Sequence, residues 1–211
     1  MHLATIWLAS LGTMLSAYFI LAANSFMQHP VGYIYNAETG RAELTDIVAV
    51  LTQITATTAF LHTMTSAFLV SGAFMGGIAA WLLMKNRDVA VARTTLKLGM
   101  ITTLVSAVLV FITGDMQSRV MVEQQPMKMA AAEALYDTQS SAPFSLLTIG
   151  TLDGSKSVFQ IGVPSVLSFM STGNFDGVVE GVNDLEAKYD QQYGPGDYTP
   201  NVPLAYWSFR L

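Results

Sequence analysis

The chain has 211 residues, of which 52% are hydrophobic and only 12% charged, with a mean hydropathy of +0.43. A typical soluble domain is roughly 45–50% apolar and about 25% charged, so this composition argues against an ordinary water-soluble fold and points to a bilayer. Cysteine is absent and the net charge is −5; disulfides, thiolate-held metals and iron–sulfur clusters are ruled out, nucleic acid is disfavoured, and any metal centre must rest on His, Met or carboxylates.

The first apolar stretch, 3–23, suffices to span a ~30 Å hydrocarbon core, which takes about 20 residues. It has no basic leader and meets Asn24 where a signal peptide would carry a small-residue cleavage site, so it reads as a spanning helix. At ~100° per residue, His2, Thr5, Ser10, Ser16 and Asn24 project within an arc of about 140° centred near Thr13. Such a polar stripe suits proton movement along hydroxyl and amide groups. Polar glue between packed helices accounts for it equally.

After a connection, 24–56, that holds Arg41 as its one base, a second span is expected at about 57–84. It carries His62, an intramembrane imidazole and by default a functional candidate. Lys85 follows at the inner end, roughly 34 Å away at 1.5 Å per residue, so His62 sits near the outer surface. Its face also carries Thr55, Thr58, Ala59, Thr65, Ser66, Leu69, Ala73, Gly76 and Gly77. Small residues around an inward-facing imidazole leave room for a flat macrocycle whose iron it can ligate; close helix packing with His62 bonded across the interface is the alternative. The third span is expected at about 94–113. Lys85, Arg87, Arg93 and Lys97 crowd the turn between the second and third spans, which makes that turn cytoplasmic. The 24–56 connection and everything directly after the third span then lie outside.

The segment 115–200 is acidic and water-facing. Asp115, Glu123, Glu133, Asp137, Asp153, Asp176, Glu180, Asp184, Glu186, Asp190 and Asp197 stand against Arg119, Lys128, Lys156 and Lys188. One local helix is expected in it, at 127–136, with Lys128 and Glu133 about 140° apart on a regular helix. By spacing alone this pair reads as a solvated surface. From 201 an apolar, aromatic stretch begins that is too short to span, and the chain is expected to be cut there. The expected fold class is an all-α membrane protein: three full transmembrane helices plus the start of a fourth, divided as 1–114, 115–200 and 201–211. From the residues alone, an enzyme, a transporter or channel with His62 and the first-helix stripe lining a path, and a structural membrane subunit all remain open.

The run from Ser16-Ala17-Tyr18-Phe19 through Asn24-Ser25-Phe26 to His29-Pro30-Val31-Gly32 resembles the large haem-bearing subunit of cytochrome bd-type quinol oxidases. The similarity continues through Phe60-Leu61-His62-Thr63, Gly114-Asp115, Lys128 with Glu133, Tyr198-Thr199-Pro200-Asn201 and Phe209-Arg210, and is weakest over 149–197. The resemblance implies a membrane-bound quinol:oxygen oxidoreductase of a bacterial or archaeal cytoplasmic membrane. It implies that His62 is an axial ligand of the low-spin haem b558, with Arg210 beside that haem. Lys128 and Glu133 match positions of quinol oxidation in the extracytoplasmic loop, with Asp115 and Phe144 near the quinol. Ser16 and Asn24 match positions on a proton route toward haem b595 and haem d. The implied partners are quinol, membrane lipid, a second large membrane subunit and small single-helix subunits. The chain also departs from the family. Its axial Met for the low-spin haem would fall beyond Leu211, and the segments holding the high-spin haem ligands and a Gly-Arg-Gln-Pro-Trp region are missing. Phe26 stands where Trp is common. The chain alone is therefore not expected to reduce oxygen.

Overall fold

The computed structural model describes residues 2–151 and 155–211, and the loop acid Asp153 lies outside them. The chain divides into two compact units, one ending at Gln117 and the other running from Ser118 to Leu211.

The first unit is built on α1 (His2–Gln28), α3 (Ile54–Met84) and α4 (Val89–Gln124), the last of which continues into the second unit. Among the described residues these three helices are long and apolar enough to cross a membrane. Their 27, 31 and 36 residues correspond to about 40, 46 and 54 Å at 1.5 Å per residue; α1 and α4 exceed the expected spans at both ends, and α3 only at its start. Phe74 and Phe111 are 70% and 78% exposed on their surfaces, a placement that suits acyl chains and not water. Between α1 and α3, the hairpin β1 (Tyr33–Asn36) and β2 (Arg41–Leu44) and the short helix α2 (Ile47–Thr52) fill the connection. Asp46 caps α2 by accepting the Ala49 N–H at 3.0 Å. Phe26, the residue in place of the common Trp, meets the Tyr33 ring edge-on at 6.2 Å.

Several polar residues in these helices satisfy themselves locally, as a bilayer favours. The hydroxyls of Thr58, Ser71, Thr103 and Thr113 donate to the carbonyls of Ile54, Ala67, Gly99 and Leu109 at 2.7–2.8 Å. Packing between α1 and α3 rests on Tyr18, whose ring meets Phe60 edge-on at 5.1 Å while its hydroxyl donates to the Leu51 carbonyl of α2. Helices α3 and α4 approach so closely at Gly72, Gly76 and Gly99 that a Cβ on Gly72 or Gly99 would lie 2.8 Å from backbone nitrogen of the opposite helix. Part of the small-residue stripe therefore serves helix packing.

The second unit corrects the expectation of a loop with a single helix at 127–136. Besides α5 (Pro126–Glu133) it contains β3 (Gln139–Ser140), β4 (Phe144–Gly150), β5 (Ser157–Val163), α6 (Val166–Thr172), β6 (Val178–Val179), α7 (Val182–Tyr193) and α8 (Val202–Arg210). Antiparallel pairs β3–β6 and β4–β5 complete it. The core was hard to foresee because much of it is alanine: Ala130, Ala131 and Ala134 pack with Met127, Tyr136, Val182, Leu185, Val202 and Tyr206. Helix α5 also ends three residues earlier than expected. Ala134 takes a left-handed φ of 49°, and Leu135 N–H returns to the Ala130 carbonyl at 2.9 Å, a Schellman stop with alanine where glycine is usual.

The glycine contact yields a test with an internal control. Gly99→Ala forces α3 and α4 apart and should destabilise the detergent-solubilised protein by about 1–3 kcal/mol, the usual range for overpacking. Gly77→Ala, with no atom within 4 Å of the added carbon, should leave the melting temperature unchanged or raise it. Equal melting temperatures for the two variants would contradict the close approach.

Candidate functional site

His62 sits on α3, half-buried against α4. Its Nδ1 lies 3.1 Å from the Thr113 hydroxyl oxygen, and the Thr113 proton is directed at the Leu109 carbonyl, 2.8 Å away. With its proton on that carbonyl, Thr113 offers its oxygen to the ring, an arrangement compatible with the imidazole proton on Nδ1. This is the tautomer of a metal-binding histidine whose orientation is fixed by its second nitrogen. Thr65 adds a hydroxyl contact to Thr113 at 3.2 Å. A Cβ on Gly114 would stand 3.4 Å from the His62 Cε1, so glycine there keeps the ring's flank clear. These residues fit an axial haem ligand. His62 bonds across the α3–α4 interface, as the packing alternative expects, and it does so through Nδ1.

The first-helix stripe is divided. Ser10 and Thr13 line a cavity of about 370 Å³ with Met14, Met64, Phe68 and Ser71. Ser16 and Asn24 lie on the exposed face of α1, where the Asn24 side chain accepts from Gln28 at 2.6 Å. Asp115 is half-buried on α4 in the membrane unit.

In the second unit, three candidates converge. Glu133, at the end of α5, is only 3% exposed, and its Oε2 accepts from Arg210 Nη2 of α8 at 2.5 Å. The Arg210 guanidinium lies 4.5 Å from the centre of the Phe144 ring on β4, a cation–π contact. The Ser145 N–H also bonds the Glu133 carboxylate. Burial raises the Glu133 pKa to about 7, against the opposing pull of Arg210 and of the Ser145 N–H. Near neutral pH this group can both take and release a proton. The Arg210 Nε is buried without a hydrogen-bond partner among the described residues, so the guanidinium keeps one donor for a further acceptor such as a carboxylate of a bound group.

Lys128 does not join this cluster. Helix α5 is continuous from Pro126 to Glu133, so the ~140° offset is real: Lys128 is exposed and Glu133 buried. Lys128 lines a separate cleft of about 560 Å³ with Gln124, Tyr189, Asp197, Tyr198 and Thr199. The expectation of a solvated surface pair thus fails for Glu133, because α5 packs on one side through Met127, Ala130 and Ala131 and on the other through Met129, which draws its end into the core. Three residues that sequence reasoning missed are Thr113, Ser145 and Tyr206. Only Tyr206 had a readable signal, standing one helical turn before Arg210.

A family model described as cytochrome bd terminal oxidase subunit I matches residues 1–211. The chain is 39% identical over 212 residues to cytochrome bd ubiquinol oxidase subunit 1 of Bacillus subtilis (strain 168), covering all of this chain and 45% of that protein. It is 29% identical over 188 residues to cytochrome bd-II ubiquinol oxidase subunit 1 of Escherichia coli (strain K12), covering 89% of this chain and 37% of that one. Among solved structures, the bd oxidase from Geobacillus thermodenitrificans superposes with a TM-score of 0.76 at 28% identity, covering 94% of this chain and 43% of that chain. The chain spans less than half the length of these relatives.

The Glu133 shift has a stability consequence of definite sign. Its pKa rises from 4.5 to about 7 on folding, so between these values the native state holds a proton that the unfolded chain has lost. The contribution of this group favours folding below pH 4.5 and declines as pH rises toward 7. Glu133→Gln removes that dependence. Its melting temperature relative to the parent should climb between pH 4.5 and 7, and a constant difference across this window would contradict the buried titration.

Proposed function

Since the chain belongs to the cytochrome bd terminal oxidase subunit I family, we propose that within the complete oxidase it oxidises quinol at the outer membrane face. Electrons then pass by way of haem b558 to haems b595 and d, for reduction of oxygen to water. The haems, when bound, supply one-electron transfer and the oxygen chemistry. The residues of this chain bind, orient and handle protons.

The observation that carries the reading is the buried Glu133 carboxylate, paired with Arg210 and poised to exchange a proton near neutral pH. Quinol oxidation needs an acceptor for hydroxyl protons as electrons leave, and a carboxylate tuned to the working pH serves best. Lys128, on its open cleft, holds a quinol oxygen through a charge-assisted hydrogen bond. Because Lys128 and Glu133 face different ways, Lys128 grips the quinol directly and Glu133 receives its proton through intervening groups. Phe144 presents an aromatic face beside the pair; the family resemblance alone assigns Asp115 to the quinol. By the family resemblance His62 would hold haem b558 as one axial ligand, and Arg210 would offset negative charge beside that haem. Ser16 and Asn24 carry protons on the inward route.

Family membership favours this oxidase reading over a transporter or a purely structural subunit. The proposed setting is a bacterial or archaeal cytoplasmic membrane with 115–200 outside. A second large membrane subunit and small single-helix subunits complete the complex.

Two experiments on the full oxidase test the reading. Lys128→Ala and Glu133→Ala should each slow quinol oxidation at least about tenfold, the low end for acid–base groups after partial rescue by water. Oxygen uptake driven by an artificial donor that bypasses quinol should persist. Quinol oxidation at the parental rate in both variants would remove the loop from the site. Separately, His62→Ala should abolish the low-spin haem b band in reduced-minus-oxidised spectra, because an axial ligand is lost; an unchanged band in folded protein would overturn the assignment.

A further inference from the structure

Strand β4 contains an irregularity that lets its hydroxyls act together. In a regular strand, side chains alternate, so Ser145 and Thr148, three apart, would point to opposite faces. Pairing with β5 shifts register between Ser145 and Leu147: Ser145 faces Gly162 and Leu147 faces Ile161, leaving Leu146 as an extra residue. A bulge of this kind re-aims the following side chains. Ser145 and Thr148 accordingly share one face, their hydroxyls 2.6 Å apart and both residues fully buried.

The Tyr206 hydroxyl of α8 closes the cluster. It accepts the Thr148 backbone N–H at 2.7 Å and bonds the Ser145 hydroxyl at 2.9 Å, and Tyr206 is 2% exposed. These bonds fasten α8 to β4 one helical turn from Arg210. The same stretch of β4 supplies the Ser145 N–H to the Glu133 carboxylate and the Phe144 ring to the Arg210 guanidinium. The Tyr206 ring itself lies 5.4 Å from that guanidinium. Both partners of Glu133 are therefore set in place by the strand and helix that the Tyr206 hydroxyl ties together.

We propose that Tyr206, acting through Ser145 and Thr148, is a positioning residue for quinol oxidation: its hydroxyl sets the distance of Arg210 and the Ser145 N–H from Glu133. The proposal rests on the reading of Glu133 as the proton acceptor. Tyr206 itself touches neither substrate nor cofactor. Loosening the tie weakens the two contacts that favour the Glu133 carboxylate, so the acid takes its proton at higher pH and a smaller fraction works as base at a given pH.

The test uses the complete oxidase with Tyr206→Phe, which keeps the ring and deletes the hydroxyl, and Ser145→Ala, which keeps the backbone N–H and deletes the side-chain bond. In both, the acidic limb of the pH profile of quinol oxidation should move to higher pH. The turnover number near neutral pH should fall roughly five- to tenfold, the factor a lost buried hydrogen bond commonly produces. Haem content and artificial-donor oxygen uptake should hold. An acidic limb at its parental position in both variants overturns the proposal. Loss of haem or of assembly in both also overturns it, because the hydroxyls would then hold the fold and not the base. Glu133→Gln, run in parallel, separates the two levels. If it oxidises quinol at the parental rate, the base assignment fails; if it loses the acidic limb while Tyr206→Phe keeps the parental one, only the positioning role fails.

Discussion

A carboxylate cannot be taken into a protein core without a partner, since an unpaired buried charge costs several kcal/mol. In the second unit that constraint falls on Glu133, drawn inward at the end of an alanine-lined helix. Arg210 answers it from the last turn of α8, 77 residues away in sequence. Much of the local architecture is arranged around this pair. The αL stop at Ala134 ends α5 at the carboxylate, the Ser145 N–H of β4 bonds it, and Phe144 lies against the cation. Desolvation outweighs the pull of the cation, and the acid titrates near neutrality instead of near its ordinary value. A group in that condition is poorly suited to holding a fold and well suited to exchanging protons.

The membrane unit obeys a different constraint, because a bilayer core offers no water to satisfy polar groups. Several of its threonines and serines solve this by donating to their own helix. Thr113 does so too, and in consequence is left as an acceptor toward His62. A local solution to hydroxyl satisfaction thus places an oxygen acceptor beside His62 Nδ1. Glycines at 72, 76 and 99 bring α3 and α4 into contact, and it is this contact that carries Thr113 to within reach of the ring.

The amino-acid sequence by itself determined the helical membrane class, the three spans and the family, because long apolar runs and a specific string such as the one around Asn24 need no tertiary information. It also singled out His62, since an imidazole among apolar residues is conspicuous at any depth. It did not reveal the interior of 115–200. A core of alanines beside many acids has no strong periodic signal, and strands of seven residues with a bulge do not alternate cleanly. Nor did it tell that Glu133 is buried while Lys128 is not: the helical offset separates them by angle, but only the packing of α7 and α8 decides which angle faces inward. Arg210 and Glu133, which the resemblance assigns to the haem and to the quinol respectively, become one ion pair through tertiary structure alone, because pairing across 77 residues depends on chain path and not on spacing.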